Sequence, residues 1–354
     1  MILTLRFARV VTILAVLALT SIVGTIALGT EERGNLESQL YADASDGQLD
    51  QFTLLEAGLI ASGVDARVVL TAYVERLNSH LERIPSTSVQ TNAKASQAAS
   101  ILRFLHRELL IGNYDETCTE ITRLLDEGDF NCVSATLLYQ YLCRTRGLAP
   151  VAVATSTHVR SRFLESDIAD VETTCGQWFD LPGNSCQRQV AHPGEPTRRL
   201  SDVELVGKIY YNRGVSLLEQ RHFAAAIGRL RIARHFDPQD ASADENLLAA
   251  INNWALDECS HGRFERASAL ITKGLAANPD YAPFAANDLH IHQQWAVHLC
   301  AEQRFEKAFT VLERAHQRRP EVELFDRGRF AVSAQWRHAL LKAEKRNELV
   351  EAAR

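Results

Sequence analysis

Cys132, His158 and Asp170 are the side chains of this 354-residue chain whose types, order and spacing could perform nucleophilic chemistry. A cysteine thiolate attacks a carbonyl carbon, an imidazole carries its proton to the leaving group, and a carboxylate holds the imidazole in the useful tautomer. Asp129 and Asn131 are cap-forming residues just ahead of Cys132, and Val133, Leu137, Leu138, Tyr141 and Leu142 follow at helical spacing. Cys132 therefore falls in the first turn of a buried helix, where unsatisfied N–H groups and the positive end of the dipole favour thiolate over thiol. The same N–H groups could hold an oxyanion. The carboxylate is the least determined of the three positions, because Asp167 stands three residues before Asp170 and Glu172 shares its strand face.

These side chains need a helix and at least two strands to bring them together. The helix runs from Cys132 toward Gly147, where glycine ends it. Pro150 to Ala154 is short, apolar and β-prone, HVRSRF alternates from His158 onward, and IADVETT supplies a third strand. A hairpin of the last two would lay Asp170 beside His158. The stretches NAKASQAASILRFLHRELLI and ETCTEITRLLDEG read as a helical lead-in, and Asn113 in IGNY is the upstream side chain available to complete an oxyanion hole.

This block resembles the transglutaminase-like superfamily, a papain-like fold in which cysteine opens a helix and histidine then aspartate come from successive strands. The matching positions are Cys132 in FNCVSATLLYQYLCRTRGL, His158 in STHVRSRF and Asp170 in DVETT, with WFD closing the block near Asp180. Val159 follows the histidine where many members carry an aromatic or small residue. The resemblance implies an α+β domain and a cysteine acyl-transfer enzyme or peptidase acting on a peptide or protein amide. The same family includes proteases, deamidases, cross-linking enzymes and inactive binding modules, so a non-catalytic scaffold is the alternative.

The carboxy-terminal half is periodic. Pro238, Pro279 and Pro320 are spaced 41 apart, as are Phe223, Phe264 and Phe305, and Ala226, Ala267 and Ala308. Small residues at Gly214, Ala255 and Ala296 and at Ala233, Gly274 and Ala315 would let paired helices approach closely, with Leu230, Ile271 and Leu312 filling the seam. These units resemble the tetratricopeptide repeat, whose usual period is about 34; the longer unit implies a lengthened first helix, placed in ASADENLLAAI and APFAANDLHIH. The resemblance implies a concave surface for a protein or peptide partner, with FAVSAQWRHALLKAEKRNELV supplying a capping helix.

From Val10 to Thr30 there is no charged residue, Arg6 and Arg9 precede the run, and Glu31 and Glu32 follow it. At about 1.5 Å per residue such a run spans roughly one hydrocarbon core. It reads as an uncleaved membrane anchor with the bulk of the chain extracytoplasmic; a signal peptide removed near Ala27-Leu28-Gly29 is the competing reading. The net charge of −6 arises within residues 1–200, which hold 17 basic and 23 acidic side chains, so no basic excess marks a nucleic-acid partner. Seven cysteines leave one unpaired at least, and Cys175 and Cys186 flank a loop that a disulfide could close. No CxxC or HExxH spacing occurs and His290 and His292 are two apart, so neither metal nor cofactor is expected. The fold class expected is an α+β transglutaminase-like domain plus an all-α tetratricopeptide-like array behind one transmembrane helix or signal sequence. The boundaries are an anchor at 1–30, a linker at 31–50, the first domain at 51–200 and the repeats at 201–354.

Overall fold

The computed structural model describes residues 35–81, 93–164, 170–180 and 196–354. Two compact units emerge: the chain through Ser216 together with Arg229–Ala241, and Leu217–Gly228 together with Ser242–Arg354.

In the first unit, α1 (Asn35–Asp43) runs into a 3-10 turn at Ala44–Asp46, and α2 (Leu54–Ala61) and α3 (Arg67–Leu81) follow. Next come α4 (Ala93–Glu108), α5 (Ile121–Glu127) and α6 (Cys132–Arg144). Four short strands complete the set: β1 (Val151–Ala154), β2 (Val159–Arg162), β3 (Asp170–Val171) and β4 (Arg198–Leu200). They form one antiparallel sheet in the order β3-β2-β1-β4. The core is built around α6, which is buried at every position from Cys132 to Cys143 except Tyr141. Its Tyr139 hydroxyl donates to the Ala98 carbonyl of α4 at 3.1 Å. Gly58 lets α2 come close on another side, since a Cβ there would lie 2.9 Å from Leu137.

Residues 35–46, read from sequence as linker, are helical because Leu36 and Leu40 lie one turn apart and both are buried. The unit boundary also differs from the expected 200/201. After β4 come α7 (Asp202–Glu219) and α8 (Phe223–Phe236), and both carry residues that bond into the first unit. Arg213 of α7 donates to the Ala61 carbonyl, and Arg229 of α8 pairs with Glu37 of α1.

The second unit contains α9 (Ala241–Ser260), α10 (Phe264–Ala277), α11 (Ala282–Ala301), α12 (Phe305–Arg318) and α13 (Glu323–Ala352), except that Ala241 belongs to the first unit. Two core clusters occupy the same positions shifted by one period: Ala255, Ala267, Ile271, Phe284 and Ile291 in one, then Ala296, Ala308, Leu312, Phe325 and Val332 in the other. The turns repeat as well. Arg221, Gly262 and Gln303 all adopt left-handed backbone, with φ of 61, 72 and 60°. At each turn the next amide closes back on the preceding helix: His222 N–H to Leu217 O at 2.8 Å, Arg263 N–H to Glu258 O at 2.9 Å and Arg304 N–H to Leu299 O at 2.8 Å.

The expected fold class is corrected by this architecture. The described residues are 69% helical and the sheet is confined to four short antiparallel strands, which does not fit an α+β transglutaminase-like domain followed by a tetratricopeptide array. The physical reason lies in strand length: segments of two to four residues pair with one another but leave α6 and the other helices to supply most of the core. In the periodic half, first helices of 20 residues and second helices of 14 build a longer hairpin than the usual unit. Among the described residues no helix is long and apolar enough to cross a membrane. The Val10–Thr30 run, read as the anchor, lies outside the described residues.

Candidate functional site

Cys132 opens α6 because Asn131 caps it. The Asn131 Oδ1 accepts the amides of Val133 and Ser134, each at 3.0 Å, and Ser134 Oγ accepts the Asn131 amide at 3.0 Å in a reciprocal capping box. Two first-turn donors are thereby satisfied. The amide of Cys132 itself has no hydrogen-bond partner among the described residues and stays available at the positive end of the helix.

His158 ends the β1–β2 turn, where its carbonyl accepts the Thr155 amide at 2.9 Å. Its Nε2–H donates to Glu172 Oε2 at 2.7 Å, and Cys132 lies close enough to the same imidazole to act on its charge. Burial opposes charge on this ring, but hydrogen bonds to Cys132 and Glu172, and the charges of both, outweigh it and raise His158 to about 10. The imidazole is thus held as imidazolium through neutral pH.

Glu172 is 1% exposed and fully engaged. Its Oε1 accepts the Thr174 amide at 3.1 Å and the Thr174 hydroxyl at 2.6 Å, leaving Oε2 for the histidine. The next residue, Thr173, donates its hydroxyl to Thr136 of α6 at 2.8 Å, and Thr136 in turn donates to Val159 O at 3.3 Å. His106 of α4 donates to the Thr173 carbonyl at 2.9 Å, and burial keeps that imidazole neutral by lowering its pKa. Helix, strand and carboxylate segment are therefore tied together one turn from the sulfur.

Cys132 and His158 are brought together; Asp170 is not brought to His158. Strand register gives the reason. Arg162 pairs with Asp170 and Ser161 with Val171, so Asp170 sits opposite a residue four positions beyond His158, about 13 Å along the strand. Continuing the same register puts Glu172 across from Arg160, diagonal to His158 on one face. Asp170 instead receives Arg160 Nε at 2.7 Å and Arg162 Nη2 at 2.9 Å. Burial would raise its pKa, yet these guanidinium groups hold it below the usual carboxylate range. Counting the hairpin register from the His158 turn is the sequence signal that selects Glu172. Asn113 is exposed, and its described bonds are main-chain: its amide donates to Asp129 Oδ1 at 2.8 Å and its carbonyl accepts Phe130 N–H at 3.1 Å. Asp167 and Cys186 lie outside the described residues.

The thiols of Cys118 and Cys143 have different surroundings. Burial pushes Cys118 up to about 11 and Cys143 up to about 12, values that suit packing and oppose reaction. Among the described residues no group of three or more His, Cys, Asp and Glu is arranged to hold a metal ion.

A second cluster with a nucleophile, a histidine and a carboxylate lies in the second unit, and sequence spacing gave no hint of it. Ser268 of α10 is 3.0 Å from His292 Nε2, and His292 Nδ1 is 3.2 Å from Asp288 Oδ1. All three are buried. Here Nδ1–H donates at 2.7 Å to the Asp288 main-chain carbonyl, and Arg318 Nη2 donates to Nε2 at 3.1 Å. No family model, curated protein or solved structure matches this chain.

Proposed function

We propose that the chain is a cysteine acyl-transfer enzyme or peptidase acting on a peptide or protein amide. Cys132 attacks the carbonyl carbon as thiolate, His158 delivers its proton to the departing amine, and Glu172 orients His158 in the role the sequence assigned to Asp170. The observation that carries this reading is the histidine set beside the cysteine of a helix start and hydrogen-bonded to a buried, fully engaged carboxylate. The helical hairpins of the second unit are read as the surface that recruits a protein or peptide. The uncharged Val10–Thr30 run behind Arg6 and Arg9 supports an address at the membrane with the enzyme outside the cytoplasm.

Alkylation by iodoacetamide at pH 7, with the modified cysteine mapped by mass spectrometry, tests the nucleophile. Cys132 should react ahead of Cys118 and Cys143, and the His158→Ala variant should lose that lead. Equal, slow modification of all three thiols would instead mark a non-catalytic binding module.

A further inference from the structure

The sulfur has a proton carrier and one adjacent amide, but an acyl-transfer site needs a further donor for the oxygen that becomes negative. The segment ahead of α5 supplies a candidate. Tyr114 forms a parallel bridge with Phe130, two residues before the nucleophile, through Phe130 N–H to Asn113 O at 3.1 Å and Asp115 N–H to Phe130 O at 3.0 Å. Asn131 Nδ2 donates to the Glu116 carbonyl at 3.0 Å, so the cap that fixes Cys132 also fixes this segment. The Tyr114 ring packs edge-on against Phe130 with centroids 5.9 Å apart, and Phe130 meets the His106 ring at the same separation. Tyr114 is 49% exposed, and among the described residues its hydroxyl has no hydrogen-bond partner. Its phenol is pushed up to about 12 by burial first and then by the nearby Cys132, Glu116 and Glu172 charges, so it remains a proton donor throughout the neutral range.

Resting on the nucleophile assigned above, we infer that the Tyr114 hydroxyl and the Cys132 amide together form the oxyanion hole. The Cys132 lone pair bonds to the acyl carbon, and the carbonyl π pair moves onto oxygen, which accepts both hydrogen bonds. Collapse re-forms the carbonyl and expels the leaving group, which takes the His158 proton where it needs one. A thioester remains, and water releases the acid and regenerates the thiol.

Alkylation and acylation separate this role from every other one. Displacement of iodide from iodoacetamide at a saturated carbon develops no oxyanion, whereas acylation by p-nitrophenyl acetate does. In the full-length Tyr114→Phe protein, Cys132 alkylation should stay within about twofold of wild type while the p-nitrophenolate burst slows by roughly 10²-fold. A burst unchanged in Tyr114→Phe overturns the inference while leaving the nucleophile standing. Parallel losses in both reactions also overturn it, since they would mean that Tyr114 only supports the local structure. Wild-type protein that reacts at Cys132 with neither reagent overturns the nucleophile itself, and the oxyanion hole with it.

Discussion

The two clusters of nucleophile, histidine and carboxylate, one at Cys132 and one at Ser268, share their residue types and have opposite chemistry. At Cys132 the nucleophile stands at a helix start with an unengaged amide, and the nearby histidine is hydrogen-bonded to the carboxylate. At Ser268 the serine lies inside a helix, where backbone donors are consumed by the helix itself. Its histidine is already engaged on both ring nitrogens: Nδ1 bonds a main-chain carbonyl, and Nε2 bonds Ser268 and Arg318. The carboxylate is spent too, because Asp288 faces Arg319 at 3.2 Å, and its pKa is lowered by His292 and the two arginines against the upward push of burial. The presence of such a trio is therefore a weak criterion. What distinguishes the sites is the helix terminus and the unengaged amide at the nucleophile.

Substituting the two histidines is the strongest way to break this contrast. His158→Ala should slow Cys132 alkylation at pH 7 by about 10²-fold, and His292→Ala should leave that rate unchanged; a fall in both would show that they share one function. Removing the buried carboxylate should have the largest effect on stability. Asp288→Ala should cost about 3–5 kcal/mol in urea unfolding, because it strands His292 and Arg319 without their partner. The two acids near His158 come next: Glu172→Gln should slow alkylation by roughly tenfold, while Asp170→Asn, which faces only arginines, should leave it within about twofold.

The pH dependence follows from the raised His158 value. A group whose pKa rises on folding stabilises the native state most fully below its unfolded pKa, near 6.5, and that contribution disappears as pH rises through about 10. The melting temperature of wild type should thus exceed that of His158→Gln at pH 6 and converge toward it by about pH 10.5. The smallest expected effect lies in the turns. Gln303→Gly relieves a side chain held in left-handed backbone and should raise stability by about 1 kcal/mol, read as a higher melting temperature.

Local chemistry made part of this molecule legible in its sequence. Asn131 and the apolar spacing after it mark the start of α6, because capping and amphipathicity act within a few residues. The 41-residue spacing of prolines, phenylalanines and alanines reappears in the helix starts at Phe223, Phe264 and Phe305. Register was harder to read: choosing Glu172 over Asp170 depends on which residues of a hairpin face each other, and a shift of two residues changes the answer. The fold class was misjudged because short β-prone stretches do not disclose how small a sheet they make. α1 was missed because two buried leucines, Leu36 and Leu40, are diluted by polar neighbours.

The residue that caps α6 has a further consequence for how the nucleophile is charged. Aspartate is ordinarily as good an N-cap as asparagine, but here the two are not interchangeable. Asn131 Nδ2 is a donor to the Glu116 carbonyl, so a carboxylate would place oxygen against oxygen. It would also add a full negative charge beside the atom that must itself become negative, and so offset the helix dipole that favours the thiolate. Asn131→Asp should therefore slow Cys132 alkylation by repulsion while the catalytic side chains stay intact.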